Sequence, residues 1–491
     1  MHVWCTRCAR KGIMVTRKPN AAKRGRCTRF RVGRVSVYFH HSCWWLYYRQ
    51  VDQPVRKRIG TDRTTAERVA SEINAQLTVS AQTMFDFRPV VVTELHSMFL
   101  AYHEDVLRSS LGTIGRYRSS IQHLVNYANS LPRQPKAHEV SAAGFVEYLR
   151  ACCVSPNGHP NTAKRQFRDK GVQNILENCR SMYGFAQRQR HLPPYATNPF
   201  AELRIERMRV EDAKPIFVFD ADTELRFFGA AKPWEFPIHF TQAKTGLRSG
   251  ELCHVLIEEI DLRAGWLHVR NKPELGWSVK TRNERSVPLH PILLAVLRQV
   301  IGNRVAGVVF RRPMFAGFPA ACEIDRSGLR DALAELTSEV SKNSGVPLTR
   351  KAKQQLSRQL WRDAGAFDSD QIRRSFIRIA TRCGLPYATC PKSWRHSFAT
   401  LLQDANVDPL LRQITLGHQP SGTSGALGMT SVYTHSRPET HAREIARAIS
   451  QYPRSLELAQ HWLSSVDEFD TQSSSKGETD SKRFPSNESG D

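Results

Sequence analysis

The 491-residue chain has no run of 18 or more apolar residues. Its most apolar stretches, VVVTELHSMFLAY and PILLAVLRQVI, are short and interrupted, which excludes a hydrophobic membrane span. The opening MHVWCTRCARKG lacks the apolar segment of a signal peptide, so export is not expected. Eleven cysteines, an odd number and mostly scattered, do not resemble a disulfide framework and fit a reducing cytoplasm. There is no internal repeat, and collagen, coiled coil, membrane protein and secreted mini-protein are excluded. Acid is scarce at one end: residues 1–60 carry fifteen Lys and Arg against a single acid, Asp52, which is over half of the whole chain's net charge of +25.

That excess points to a polyanion, because each cation that neutralises a phosphate releases condensed counterions. The other terminus has the opposite character. Residues 466–491 hold seven acids and three bases in a Ser-rich stretch, and are expected to be disordered and to stay off DNA. The length allows two to four domains.

Residues 30–60 alternate β-branched or aromatic residues with polar ones, which predicts a sheet of two or three strands, with VDQP as a turn. A helix follows, with Thr64 as its expected N-cap. The basic module 1–80 also contains Cys5 and Cys8 in a CxxC and His40 and Cys43 in an HxxC, candidates for a structural zinc site, with Cys27 as a substitute ligand. The alternative is that Cys27 and Cys43 are ordinary small sheet residues. Residues 90–200 show three- and four-residue apolar spacing over four or five helices. Arg116, Arg118, Lys164 and Arg165 on their polar faces meet phosphates or are simply solvated. Residues 195–216 are expected to be a linker. Residues 217–452 are expected to form one α-rich domain, with GWLHVRN and WSVKT as a hairpin and RSVPL as a strand leading into a helix. A helix should end near Asn406, with Asp408 and Pro409 starting the next.

Within that domain certain residues suit phosphoryl transfer. Arg248 in TGLRSGEL precedes Glu251 by three residues, so the acid can orient the guanidinium. Lys280 lies in WSVKTRNERSVPL, Lys392 and Arg395 in PKSWRHSFAT, His418 in LGHQP and Tyr433 in SVYTH. Arginines that grip a phosphate, further cations, a histidine and a downstream tyrosine make a coherent set. Tyr47, Tyr48 and Tyr387 are read as packing or groove residues.

By these motifs, in this order, the sequence resembles the tyrosine recombinase (phage integrase) family, closely from TGLRSGEL to VYTH and more loosely over the N-terminal parts. The family's active residues run Arg, Lys, His or Lys, Arg, His or Trp, then Tyr, and match Arg248, Lys280, Lys392, Arg395, His418 and Tyr433. The resemblance implies a multidomain, mainly α protein with small β-sheets: an N-terminal sheet-plus-helix module for arm sites, a helical core-binding domain and an α-rich catalytic domain. It implies a site-specific recombinase, an integrase of a mobile element, that acts through a 3′-phosphotyrosine formed by Tyr433 and needs neither ATP nor a catalytic cofactor. Its partners would be double-stranded DNA and three further copies in a tetrameric synapse. Its place would be the bacterial cytoplasm, at the nucleoid, with no membrane. THAREIARAISQY and SLELAQHWLSSV are candidates for a helix that docks on a neighbouring copy, or else pack on their own domain. The 15 residues from His418 to Tyr433 and the 115 from Lys280 to Arg395 exceed the family's usual gaps; the first excess is Gly/Ser-rich and reads as a mobile loop, and the second marks an insert at about 303–370 of unassigned role. Alternatives are a topoisomerase-like relaxing enzyme and a DNA-binding protein without catalysis.

Overall fold

The computed structural model describes residues 29–155, 163–212, 215–280, 282–315, 323–417 and 437–477, with side chains to residue 465. The chain divides into two compact units, Met1–Ala213 and Lys214–Asp491.

The first unit contains two separate cores. One lies under an antiparallel meander, β1 (Arg29–Val32), β2 (Val35–His40), β3 (Cys43–Gln50) and β4 (Gln53–Gly60). Four strands form where two or three were expected, because Gly33, at φ +54°, turns β1 back onto β2. The other two turns place non-glycine pairs at positive φ, His41–Ser42 and Val51–Asp52, as two-residue hairpin turns require. Strand alternation sends Val35, Val37, Leu46 and Tyr48 inward against Ala66, Ala70 and Ile73 of α1 (Arg63–Thr78). The N-cap of α1 is Asp62 rather than the expected Thr64. Its carboxylate accepts from the Thr65 N–H at 2.7 Å and the Thr64 N–H at 3.4 Å, a stronger acceptor two residues earlier, at the helix mouth itself.

The second core is helical: α2 (Val92–Ala101), α3 (Leu111–Ser130), α4 (Ala142–Ala151) and α5 (Asp169–Arg188), with a two-residue strand pair, β5 (Cys153–Val154) and β6 (Arg165–Gln166). Arg116, Arg118, Lys164 and Arg165 are all exposed, the position that both readings of them need. The expected linker behaves differently. Short α6 (Pro199–Glu202) buries Phe200, and Ile205 follows it into the same core, since two large apolar residues gain more from burial than a linker allows.

The second unit opens with α7 (Ala221–Gly229), α8 (Phe236–Thr245) and α9 (Ser249–Cys253), followed by an antiparallel sheet of β7 (Ile260–Asp261), β8 (Trp266–Val269) and β9 (Arg285–Pro288), then α10 (Pro291–Ile301). The hairpin therefore pairs GWLHV with RSVP. WSVKT is not its second strand, because Pro273 and Gly276 (φ +70°) bend residues 272–277 into a closed turn instead. The insert supplies α11 (Arg326–Ser344) and α12 (Arg350–Asp363), whose Leu329, Leu360 and Trp361 form a small core with Leu256, Leu275 and Val308. There follow α13 (Ser369–Arg382), α14 (Lys392–Asp404), α15 (Pro409–Leu416), α16 (Pro438–Ile449) and α17 (Pro453–Gly477). Asn406 at φ +54° ends the α14 turn, and Asp408 caps α15 by accepting from the Leu410 N–H at 2.7 Å.

Both candidate docking segments pack on their own unit. Ile445, Ala448 and Ile449 of α16 and Leu456 and Ala459 of α17 join its core, and Trp462 donates to the Pro233 carbonyl at 3.1 Å. For residues 466–477 the expected disorder is corrected, since α17 runs on to Gly477, while residues 478–491 of that expectation lie outside the described residues. No proline or glycine interrupts it between Pro453 and Gly477, and a helix nucleated by packed turns propagates at little cost. No helix among the described residues is long and apolar enough to cross a membrane.

Trp394 of α14 is the hub of the core, stacked on Phe219 with ring centroids 3.9 Å apart and on Phe228 at 5.2 Å. Trp394→Ala should destabilise the protein by about 3–5 kcal/mol, read as a lowered midpoint in urea unfolding.

Candidate active site

The site grows from one buried carboxylate. Arg248 occupies the N-cap of α9, and Glu251, on its first turn, reaches back to accept the Arg248 backbone N–H at 2.9 Å and Nη1 at 2.7 Å. Glu251 is 3% exposed, and its other side accepts from Arg285 of β9, Nη2 at 2.7 Å and Nη1 at 3.2 Å. Burial by itself would raise this carboxyl, but the bonds from Arg285 and Arg248 outweigh it and hold it below the ordinary range. Arg285 in turn donates Nε to the Thr415 carbonyl at 2.9 Å. Thus α9, β9 and the end of α15 are tied at one point.

Arg395, 8% exposed, sits one helical turn along α14 from the exposed Lys392. It donates Nη1 to the Gly246 carbonyl at 2.9 Å and Nη2 to the Leu416 carbonyl. Both acceptors lie at helix C-termini, where carbonyls lack intrahelical partners and the helix dipole is negative. Each helix ends in a left-handed glycine. At Gly246 (φ +64°) a Cβ would come within 2.6 Å of Phe398, and at Gly417 (φ +64°) within 2.9 Å of Arg285. Desolvation first, and then the nearby Arg248 charge, push the Arg395 guanidinium down to about 10. It stays charged near neutral pH, but it is held beside a like charge, an arrangement relieved by an arriving anion.

His396, next along α14, is half-buried. Burial and then the neighbouring cations Lys392 and Arg395 lower its imidazole, and its Nε2 has no hydrogen-bond partner among the described residues. Lys280 is exposed on the β8–β9 connection, in a turn closed by the Arg282 N–H on the Val279 carbonyl at 2.8 Å. The structure therefore joins Arg248 and Arg395 around Glu251 and Gly246, sets Lys392 on the Arg395 helix, and places Lys280 on a separate connection. His418 and Tyr433 lie outside the described residues. Sequence reasoning passed over Arg285 as a flank of the Lys280 motif; its signal was an arginine at the mouth of an apolar strand, where burial demands a partner. Tyr48 is buried against Thr83, and Tyr387 is exposed.

A second charged surface lies on the meander face opposite α1. Cross-strand pairing lines up Arg31, Ser36, Tyr47 and Arg56 in one row and Arg29, Tyr38, Trp45 and Arg58 in the next. The Arg56 guanidinium rests 5.2 Å from the Tyr38 ring centre and 5.0 Å from that of Trp45. Of the zinc candidates, His40 and Cys43 are paired directly across a hairpin turn, but the Cys43 sulfur accepts from Arg58 Nε at 3.1 Å. Cys5, Cys8 and Cys27 lie outside the described residues, among which no three His, Cys, Asp or Glu side chains are grouped to hold a metal.

Residues 240–440 match the model of the phage integrase family. The chain is similar to tyrosine recombinase XerC of Xylella fastidiosa (strain M23), 25% identical over 279 residues that cover 55% of this chain and 72% of that protein. It is also similar to tyrosine recombinase XerC of Xanthomonas campestris pv. campestris (strain B100), 23% identical over 344 residues, 69% of this chain and 82% of that one. Among solved structures, the Tn1549 transposon integrase in complex with transposon right end DNA superposes with a TM-score of 0.46 at 16% identity, over 73% of this chain and 99% of that one. A lambda integrase tetramer bound to a Holliday junction gives 0.43 at 16% identity, over 79% and 96%.

Glu251→Gln leaves two arginines without their shared counter-charge and should cost about 3 kcal/mol or more at neutral pH. A carboxyl with a depressed folded value contributes stability that is complete above its unfolded value of about 4.5 and is lost as the pH falls toward the folded one. The gap between wild type and Glu251→Gln should therefore narrow below about pH 4.5, measured by urea unfolding at a series of pH values.

Proposed function

Because this chain belongs to the phage integrase family of tyrosine recombinases, an enzyme class that breaks and rejoins DNA, we propose that it is a site-specific DNA recombinase serving the integration or excision of a mobile element. The observation that carries the reading is the pair Arg248 and Arg395: the first is half-buried and fixed on Glu251 at the N-cap of α9, the second is buried and fixed on the Gly246 and Leu416 carbonyls, and the charge of Arg248 bears on Arg395, so an anion that meets both gains from two preset cations. In the proposed reaction the Tyr433 oxygen attacks a DNA phosphodiester. The tyrosine–phosphorus bond forms as the bond to the 5′ oxygen breaks, and the 3′-phosphotyrosine keeps the bond energy for rejoining. Arg248 and Arg395 bind the non-bridging oxygens and offset the charge that builds at phosphorus. Lys280 gives its proton to the leaving 5′ oxygen, and Lys392 shares the phosphate. His418 adds a hydrogen bond at the phosphate and takes the tyrosine proton.

Double-stranded DNA is the proposed partner, with four copies meeting in the synapse. The rows of arginine and aromatic side chains across the N-terminal sheet support an arm-site contact, since guanidinium groups meet phosphates and ring faces tolerate a groove wall. Zinc at Cys5, Cys8, His40 and Cys43 is proposed as a brace for that module. Elemental analysis of the purified protein should then find about one zinc per chain, lost on Cys5→Ser; a metal-free protein with the same DNA affinity rejects it.

DNA from the flanks of the gene, incubated with the protein and quenched with detergent, should yield a covalent adduct with wild type and none with Tyr433→Phe. If DNA is bound yet no adduct forms, even on nicked duplexes that trap cleavage, the non-catalytic alternative replaces this one. Adducts accompanied by supercoil relaxation without strand exchange favour the relaxing enzyme.

A further inference from the structure

The insert between β9 and Arg395 grips the connection that carries Lys280. α11 begins with Arg326, whose Nε donates to the Glu274 carboxylate at 2.6 Å and whose Nη2 donates to the Asn271 carbonyl at 2.9 Å. From α12, Ser357 Oγ at 2.6 Å and Trp361 Nε1 at 3.2 Å both donate to the Leu275 carbonyl. Leu275 itself is fully buried in the insert's core. Gly276 passes so close that a Cβ would lie 2.6 Å from Ser357 Oγ. On its inner side the turn is fixed by Lys272, buried in an ion pair with Glu259 at 2.7 Å and lying over the Trp277 ring.

The grip passes directly to the lysine. The side chain of Asn271, whose carbonyl Arg326 holds, accepts from the Val279 N–H at 2.9 Å and donates to the Arg282 carbonyl at 2.9 Å. It thus brackets the two residues between which Lys280 lies. Its backbone N–H is also bound, to Glu284 at 2.8 Å. An exposed lysine on a 15-residue connection between short strands would ordinarily sample many positions, and each frozen residue costs roughly 1–2 kcal/mol of conformational entropy. Here the contacts with α11 and α12 meet that cost before any DNA arrives.

We propose that the insert is a positioning device for Lys280, with Arg326, Ser357 and Trp361 fixing the 271–277 turn and Asn271 passing that order on to the lysine. This rests on the assignment of Lys280 as the donor of a proton to the leaving 5′ oxygen. A group that is misplaced by even 1 Å loses much of its effect, so loosening the turn should act on that proton transfer and not on DNA affinity.

The test compares single-turnover cleavage of a nicked duplex from the gene's flanks with cleavage of the same duplex carrying sulfur in place of the scissile 5′ oxygen, the position mapped from the Tyr433 adduct. A thiolate leaves without a proton, so the second substrate has no need of a general acid. Arg326→Gln and Ser357→Ala should each slow the oxygen substrate about tenfold or more, cleave the sulfur substrate near the wild-type rate and bind the duplex with unchanged affinity. Arg326→Lys, which keeps the charge beside Glu274, should lie between. Equal slowing on both substrates, or no slowing on either, overturns the proposal. Lys280→Ala separates the underlying assignment: if sulfur does not restore its cleavage, Lys280 is not the proton donor, and the positioning role falls with it. Because Ser357→Ala removes one hydrogen bond and no charge, it keeps the comparison open if Arg326→Gln fails to fold.

Discussion

A carboxylate that is almost wholly removed from water holds the second unit together. Glu251 has a guanidinium on each side, and through Arg285 it reaches the Thr415 carbonyl near the end of α15. An isolated ion there would be severely destabilising, whereas one with four donors is not. The consequence is geometric. The N-cap of α9, the first residue of β9 and the C-terminus of α15 cannot move independently, and Arg395 takes its two carbonyls from the same neighbourhood. The seat proposed for phosphate is thus a rigid fixture built before any substrate comes.

Part of this is legible because it depends on local chemistry: the Arg248–Glu251 pairing and the Asp-Pro start of α15 follow from residues close in sequence. The left-handed glycines that end α8 and α15 are equally local, but the motifs around them draw the eye to their charged neighbours instead. What was not legible depended on partners far along the chain. Arg285 and Glu251 are 34 residues apart, and nothing local in NERSVPL says which acid its arginine will find. The hairpin was misplaced for a related reason: WSVKT alternates like a strand, but Lys272 and Trp277 pair within the turn and leave it no free edge. The expected linker at 195–216 failed because charge and proline obscured two buried apolar residues, Phe200 and Ile205. His418 and Tyr433 were named from motif order alone.

The insert and the C-terminal helices of the second unit differ in kind. The insert makes its own core, and its polar contacts converge on one turn. The C-terminal helices instead extend the main core, with Trp462 stacked near Phe236 and Ser455 accepting from the buried Lys244. Lys244 also pairs with Glu224, so α7, α8 and α17 share one enclosed charge. Exchange of that C-terminal segment between copies would have to remake the same ion-pair network in the partner, which an identical chain supplies.

The seat of Arg395 has an evolutionary side. The carbonyls of Gly246 and Leu416, on which it is seated, belong to the main chain, which every amino acid provides. Substitutions of the surrounding side chains can therefore drift without removing these hydrogen bonds. What cannot drift are the two glycines, whose backbone angles and close neighbours leave no room for a side chain. In a lineage of such proteins, Arg395 would be protected less by what touches it than by two residues that have no side chain at all.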